Sequence, residues 1–357
     1  MEKFGSLEIP LSESFLPETG KTQYFDTDSG EYLAIVNKGQ NNVEIVNLKS
    51  RKWRKPIHLS REGPNGIGSH NGFRIVAMDC LIVASIPPNL RILDFKGNLK
   101  KTISVRDPDN KINFLTSDNR LPFLLGDGVI YGAQPFFQNI FETTVDQVRK
   151  SKHIYKISLI PGKESTEWLP VYRPKDEWEN GKTSNLFNWT DRFDSILISP
   201  IADSKIWVIS KKKGQLLGYK NVKSQFVNQY DYLDKIPSGD EGMIDDLIND
   251  RYELLLHDSY RDVFYRFFFI GVDDWRKFDM TVRNLFSNRP LVGVMLLDKN
   301  LDILGEHVFE NHEIETWNYF VGRKGLYVST NNPNRDDFDE NFLRYDIIRF
   351  SGLTYED

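Results

Sequence analysis

Residues 32–48 read YLAIVNKGQNNVEIVNL, and this stretch settles the fold class. Two short runs rich in β-branched residues, 32–36 and 42–48, are each too short for a core helix and suit a pleated, half-buried strand. Between them lies NKGQN, whose Asn and Gly residues accept the backbone angles of a tight reversal. The stretch therefore predicts an antiparallel hairpin, and residues 53–59 add a third strand.

Outward from this hairpin the same unit recurs. A second group occupies 73–78, 80–85, 90–94 and 99–105, and a third occupies 128–132, 153–160 and 167–171. A fourth takes 195–199, 205–210 and 215–219, with an outer strand expected after them. A fifth takes 252–257, 263–271, 291–298 and 303–309, and the last takes 317–322, 325–330 and 343–350. Six groups of about four strands, at roughly 45 to 65 residues each, have the spacing of propeller blades. The phrase DFKGNL at 94–99 is echoed by LDKNLD at 297–302, each reading as a turn between the third and fourth strands of a group. Residues 7–11, LEIPL, would complete the last group. The expectation is an all-β, six-bladed β-propeller with about four antiparallel strands per blade, closed by an N-terminal strand, as a single domain over 1–357. Two stacked β-sandwiches are the alternative, and the missing Pro/Gly/Ser linker near the middle argues against them. Residues 136–150 and 242–251 break the strand pattern and read as short helices or loop inserts.

Composition narrows the partners. The chain has 46 basic and 51 acidic residues, a net charge of −5, so it lacks the clustered basic excess of a nucleic-acid binder. The basic run Lys211-Lys212-Lys213 reads as a solvated hairpin turn. The only cysteine, Cys80, excludes an intramolecular disulfide and a cysteine-based zinc site, and its apolar neighbours predict a buried, inert thiol. No apolar run reaches membrane-spanning length, and Met1 leads into polar sequence without a signal-peptide pattern.

Several segments are candidates for chemistry. REGPNGIG at 61–68 has the glycines of a phosphate cradle but no following Lys and no helix, and Pro64 removes an amide, so it reads as a turn between blades. The minority reading places His70 or Asn65 against a ligand. In RDVFYRFFFIG, residues 261–271, Val263, Tyr265, Phe267 and Phe269 fall on one face of a strand. Phe264, Arg266, Phe268 and Ile270 fall on the other, so the strand is expected to be buried on both sides. Arg266 then needs a carboxylate or several carbonyls, with Asp258 and Asp262 as the natural carboxylate partners. The six histidines show no metal spacing. The acidic loops at 107–110 and 336–340 could offer oxygens to calcium, although no EF-hand spacing occurs, and solvated loops are the simpler reading. Trp168, Trp178, Trp189 and Trp317, with Tyr172, lie in or near loop-like segments and either pack between blades or stack on sugar rings. No nucleophile elbow or triad order stands out.

EGPNGIG at 62–68, the strand opening with Gly72-Phe73, and YRDVFYRF at 260–267 together resemble the DUF4221 family. This is an uncharacterised group of six-bladed propeller-like proteins of Bacteroidetes, commonly described as lipoproteins, and the resemblance runs through nearly the whole chain. It implies a cell-envelope location, in the periplasm or at the outer membrane, through an N-terminal lipidated cysteine. No cysteine stands near this start, so such an anchor is trimmed away or absent from this chain. The family supplies no catalytic residues.

The functional expectation is a non-catalytic ligand- or protein-binding module of the envelope, with carbohydrate or protein as partner and no cofactor. The ligand-contacting set is His70, Arg74, Arg261, Arg266 and Trp317. The alternative is a metal-dependent hydrolase of lactones or esters, or a glycan-active enzyme, with its site in the propeller's central channel.

Overall fold

The computed structural model describes residues 1–106 and 112–356. Strand β1 (Glu2–Pro10) precedes the first sheet, formed by β2 (Pro17–Thr27), β3 (Gly30–Asn37), β4 (Asn42–Asn47) and β5 (Ile57–His58). The hairpin read from residues 32–48 is β3–β4, with Val36 opposite Val43 and Ala34 opposite Ile45. The second sheet is β6 (Ser69–Ala77), β7 (Cys80–Ile86), β8 (Asn89–Leu93) and β9 (Leu99–Ser104). The third is β10 (Leu124–Gly126), β11 (Val129–Ala133), β12 (Ile154–Ser158) and β13 (Thr166–Trp168), with helix α1 (Val145–Lys150) between β11 and β12. The fourth is β14 (Phe187–Arg192), β15 (Ser195–Pro200), β16 (Lys205–Ser210) and β17 (Gln215–Asn221).

After α2 (Glu241–Ile248), the fifth sheet contains β18 (Arg251–Asp258), β19 (Val263–Phe269), β20 (Val292–Leu297) and β21 (Ile303–Val308), with α3 (Val282–Ser287) between β19 and β20. The sixth is β22 (Tyr319–Gly322), β23 (Gly325–Ser329) and β24 (Phe342–Arg349), and β1 adds to β24 as its fourth strand. The fold is thus an all-β propeller of six antiparallel four-stranded blades, and its N-terminal strand completes the last one.

Two compact units divide the chain. One, Glu8–Phe137 with Lys152–Val171, holds the first three sheets; the other, Met1–Leu7, Gln138–Ser151 and Tyr172–Asp357, holds the last three and the helices. Each is built from apolar layers between neighbouring sheets. In the first unit, Val36, Ile45, Phe73 and Val83 share one layer, while Ile82, Leu90, Phe123 and Trp168 share the next. In the second unit β19 lies between two such layers, and all seven of its residues are buried. Val263, Tyr265, Phe267 and Phe269 enter one layer; Phe264 and Phe268, with the neighbouring Ile270, enter the other, as the two-residue strand period dictates.

The echoed turns are also built alike. Asp94 Oδ1 accepts from the backbone N–H groups of Lys96 and Asn98, each at 2.9 Å, between β8 and β9. Asp298 Oδ1 accepts from those of Asn300 and Asp302, each at 2.8 Å, between β20 and β21. An aspartate that satisfies two turn amides is the reason both phrases start a reversal.

Three strands depart from the sequence reading. The first strands of the first, third and fourth sheets, β2, β10 and β14, were not expected, and the fourth sheet's missing member precedes β15 rather than following β17. β2 is almost entirely half-buried and polar, β10 has 3 residues, and β14 ends Thr190-Asp191-Arg192, so none carries a run of alternating apolar residues. Helix α3 was also unforeseen; Thr281 Oγ1 caps it by accepting from Asn284 N at 3.2 Å.

Candidate functional site

REGPNGIG, between β5 and β6, turns its amides inward. Gly66 N donates to Gly63 O at 2.9 Å, Ile67 N to Ser60 O at 2.8 Å and Gly68 N to Arg61 O at 3.1 Å, so none of these is left for a phosphate. Asn65 Oδ1 accepts from Leu99 N at 3.0 Å, fastening the turn to the start of β9.

His70 is half-buried just beyond it. Its Nδ1 accepts from Gly72 N at 3.4 Å, which leaves the proton on Nε2, 3.2 Å from Asn41 Oδ1. Burial, then the nearby Lys21 ammonium, bring its pKa down from 6.5 to about 4. Between those values an unfolded chain takes up a proton that the folded ring refuses, so stability falls as pH drops from 6.5 towards 4. The expected loss is on the order of 2–3 kcal/mol. His70→Gln, which keeps a donor for Asn41, should lose less stability than the parent between about pH 7 and pH 4.5 in urea unfolding. Parallel losses in the two proteins would contradict the assignment. Arg74, on β6 opposite Ile82, is half-buried in the same unit.

The other three sequence candidates belong to the second unit. Arg261 donates to Asp258 Oδ2 at 2.5 Å and to the carbonyls of Arg323 and Gly322 at 2.8 and 2.7 Å. Asp262 is held by Arg192 instead, through Nε at 2.5 Å and Nη2 at 2.7 Å. Arg266, fully buried, therefore meets no carboxylate from either residue. Its Nε donates to Ser199 Oγ at 2.9 Å, Nη1 to Ser204 O and Val222 O at 3.0 and 2.8 Å, and Nη2 to Asp203 O at 2.8 Å. Of the two expectations for Arg266, the cage of carbonyls is the one realised. Trp317 Nε1 donates to the buried Glu253 Oε2 at 3.0 Å, and its ring meets Phe269 edge-on. His70, Arg261, Arg266 and Trp317 are each engaged by a separate set of partners.

A different group in the second unit converges on a cavity of 210 Å³. One wall is the segment of residues 176–184 before β14; another is the β15–β16 turn with Asp203 and Lys205; the third carries Tyr230 and Tyr232, between β17 and α2. The walls are fixed from several sides. Lys205 Nζ sits 2.6 Å from Asp176 Oδ2, and Leu233 N donates to Lys182 O at 2.7 Å, beside a backbone bridge between Thr183 and Tyr232. Lys182 Nζ donates to the carbonyls of Ile140, Phe141 and Thr143 and lies 5.2 Å from the Trp178 ring centre. Gly181, at φ +125°, lies beneath the Tyr232 ring, where an added Cβ would come within 2.7 Å of it. A side chain there would displace the ring, so glycine is required.

Within this cavity Trp178 adopts φ +60°, which is strained for a bulky residue. It is 9% exposed, and its indole N–H is buried with no acceptor in range. Tyr232, by contrast, is 50% exposed. Burial raises the pKa of Asp203, while the Lys205 hydrogen bond lowers that of Asp176. Asp231, between the two tyrosines, is pushed up to about 6 by burial and by Asp246, Asp245 and Asp234. Sequence reasoning singled out Trp178 but not Tyr230, Tyr232 or Asp203. The tyrosine pair in NQYDYLD, residues 228–234, was the available signal: aromatics in a stretch with no strand period.

Trp168 and Trp189 are buried in blade packing, and Tyr172 is exposed. Cys80 is half-buried rather than buried because it opens β7 at the Asp79 turn; burial and the Asp79 carboxylate raise its thiol pKa. The acidic loop at 107–110 lies outside the described residues. In the loop at 336–340, Asp337 is bound by Arg335 at 2.7 Å and Arg344 at 3.3 Å. Among the described residues no three His, Cys, Asp or Glu side chains group as a metal would require, and no helix is long and apolar enough to cross a membrane.

Comparison with known proteins adds a family. The fold superposes on the crystal structure of a DUF4221 family member from Bacteroides vulgatus with a TM-score of 0.85 and 20% identity, covering 99% of this chain and 98% of that one. A Bacteroides fragilis protein named for inferred export matches with a TM-score of 0.57 and 13% identity, over 97% of this chain and 95% of that one. No curated protein sequence matches. Residues 2–308 match the family model of the domain of unknown function DUF4221, and the chain belongs to that family.

Proposed function

We propose that this protein is a non-catalytic glycan-binding module of the bacterial cell envelope, with its ligand site in the cavity around Trp178, Tyr232 and Asp203. The observation that carries the reading is the buried Trp178 indole N–H without an acceptor, on a strained residue, at the wall of a cavity that also presents an exposed tyrosine. Strain and an unsatisfied buried donor both cost stability, and such costs collect where a ligand is to be met. Sugars present an apolar ring face and a fringe of hydroxyls. Tyr232 offers a surface for the first. Asn180, Thr183, Ser184 and the carboxylates offer donors and acceptors for the second. The envelope location is supported by the family resemblance and by the inferred export of the Bacteroides fragilis relative.

An array of immobilised glycans probed with the protein tests this. Retention of a defined set of glycans is expected, and Tyr232→Ala should abolish it with the fold intact by circular dichroism. An array with no retained glycan, or retention indifferent to Tyr232, would overturn the reading.

A further inference from the structure

We infer that the glycan taken by this cavity ends in an amino sugar whose protonated amine sits against Asp203; the inference rests on the glycan-binding reading above. Four carboxylates line the cavity, Asp176, Glu177, Glu179 and Asp203, against the single ammonium of Lys205. Two of the four are already matched. Asp176 Oδ2 has Lys205 Nζ at 2.6 Å, and Glu177 Oε1 has Arg173 Nη1 at 2.9 Å.

Asp203 stands apart from these. Its carboxylate accepts the backbone N–H of Lys205 at 3.0 Å, and the nearby positive charge of Arg266 is spent on carbonyls, that of Asp203 itself among them. A part-buried carboxylate without a directly bonded cation is costly, and a ligand ammonium would offset that cost. The half-exposed Tyr232 works in the same direction, because aromatic rings attract cations, whereas the Trp178 ring already has the Lys182 ammonium 5.2 Å from its centre. A uronic or sialic acid would meet like charge, and a neutral hexose would leave Asp203 as it is. At 210 Å³ the cavity is smaller than the ~300–1,000 Å³ of drug-sized sites, which suits one ring rather than several. A glucosamine-type residue supplies in that one ring both a face for Tyr232 and an ammonium for Asp203.

The test is calorimetric titration at about pH 6, where the ligand amine is protonated. Three probes are used: a glucosamine trisaccharide, the matching N-acetylglucosamine trisaccharide, and Nα-acetyl-lysine amide. The amine-bearing sugar is expected to bind at least about ten-fold tighter than its N-acetylated form. Asp203→Asn, which keeps an oxygen for the Lys205 N–H, should remove that advantage. Equal or tighter binding of the N-acetylated sugar would overturn the amine requirement while leaving the glycan reading standing. Lysine amide binding as tightly as the amino sugar would overturn the assignment to a sugar. Binding of neither trisaccharide would overturn the inference, and the glycan array then shows separately whether the broader reading falls with it.

Discussion

Arg266→Ala will destabilise the protein by roughly 3–5 kcal/mol, the cost typical of breaking a buried charged network by removing one member. The guanidinium is fully buried, donates to Ser199 Oγ and to the carbonyls of Asp203, Ser204 and Val222, and lies 3.4 Å over the Tyr252 ring. Burial lowers its pKa to about 10, so it stays charged at neutral pH. Truncation takes the guanidinium donors from the carbonyls of Asp203 and Val222, leaves Ser204 O only the backbone N–H of Val222 at 3.1 Å, and opens a hole beside Tyr252, and these effects carry the same sign. Lysine does not rescue it, since one ammonium cannot reproduce a planar fork spanning carbonyls on two sides. Urea unfolding of both variants against the parent is the check. A shift below about 1 kcal/mol would mean that the cage is not what holds the β15–β16 turn to β19.

Gly72→Ala will be comparably damaging, by about 3–5 kcal/mol from backbone strain and overpacking together. Gly72 sits in β6 at φ +105°, and a Cβ there would lie 2.0 Å from Ser117 O and 2.7 Å from Ser117 C. That backbone cannot step aside. Ser117 O accepts from Phe73 N, and Ser117 N donates to Asn71 O, each at 3.0 Å. Relief would require breaking both bonds or leaving the glycine-only conformation. Alanine at Gly218, whose added Cβ would meet open space, is the control. Equal urea midpoints for the two alanine variants would refute the packing argument.

The propeller was legible in the sequence because its middle strands are. β3, β7, β15, β19 and β20 are continuous apolar runs, buried on both faces between neighbouring layers, and Asn-, Gly- or Asp-rich turns punctuate them. The first strands of three blades were not legible. β2 and β14 mix polar residues into half-buried faces and β10 is too short for any period, so only pairing with a neighbour makes them strands.

The candidate site was still harder to see, because no single segment builds it. Residues 176–184, Asp203 with Lys205, and Tyr230 with Tyr232 come from three connections that meet only once the fourth blade has formed. Arg266 shows the converse. Its position in an apolar strand announced that it would be buried and compensated, yet its donors went to the carbonyls of Ser204 and Asp203, 62 and 63 residues earlier, and of Val222, 44 residues earlier, a choice that strand periodicity does not encode.

The most direct test of the glycan-binding account is calorimetric titration of parent and Tyr232→Ala with the glycan that the array retains. The account predicts saturable one-to-one binding by the parent and none by Tyr232→Ala, with equal unfolding midpoints for the two proteins. Equal affinity in the two would contradict it.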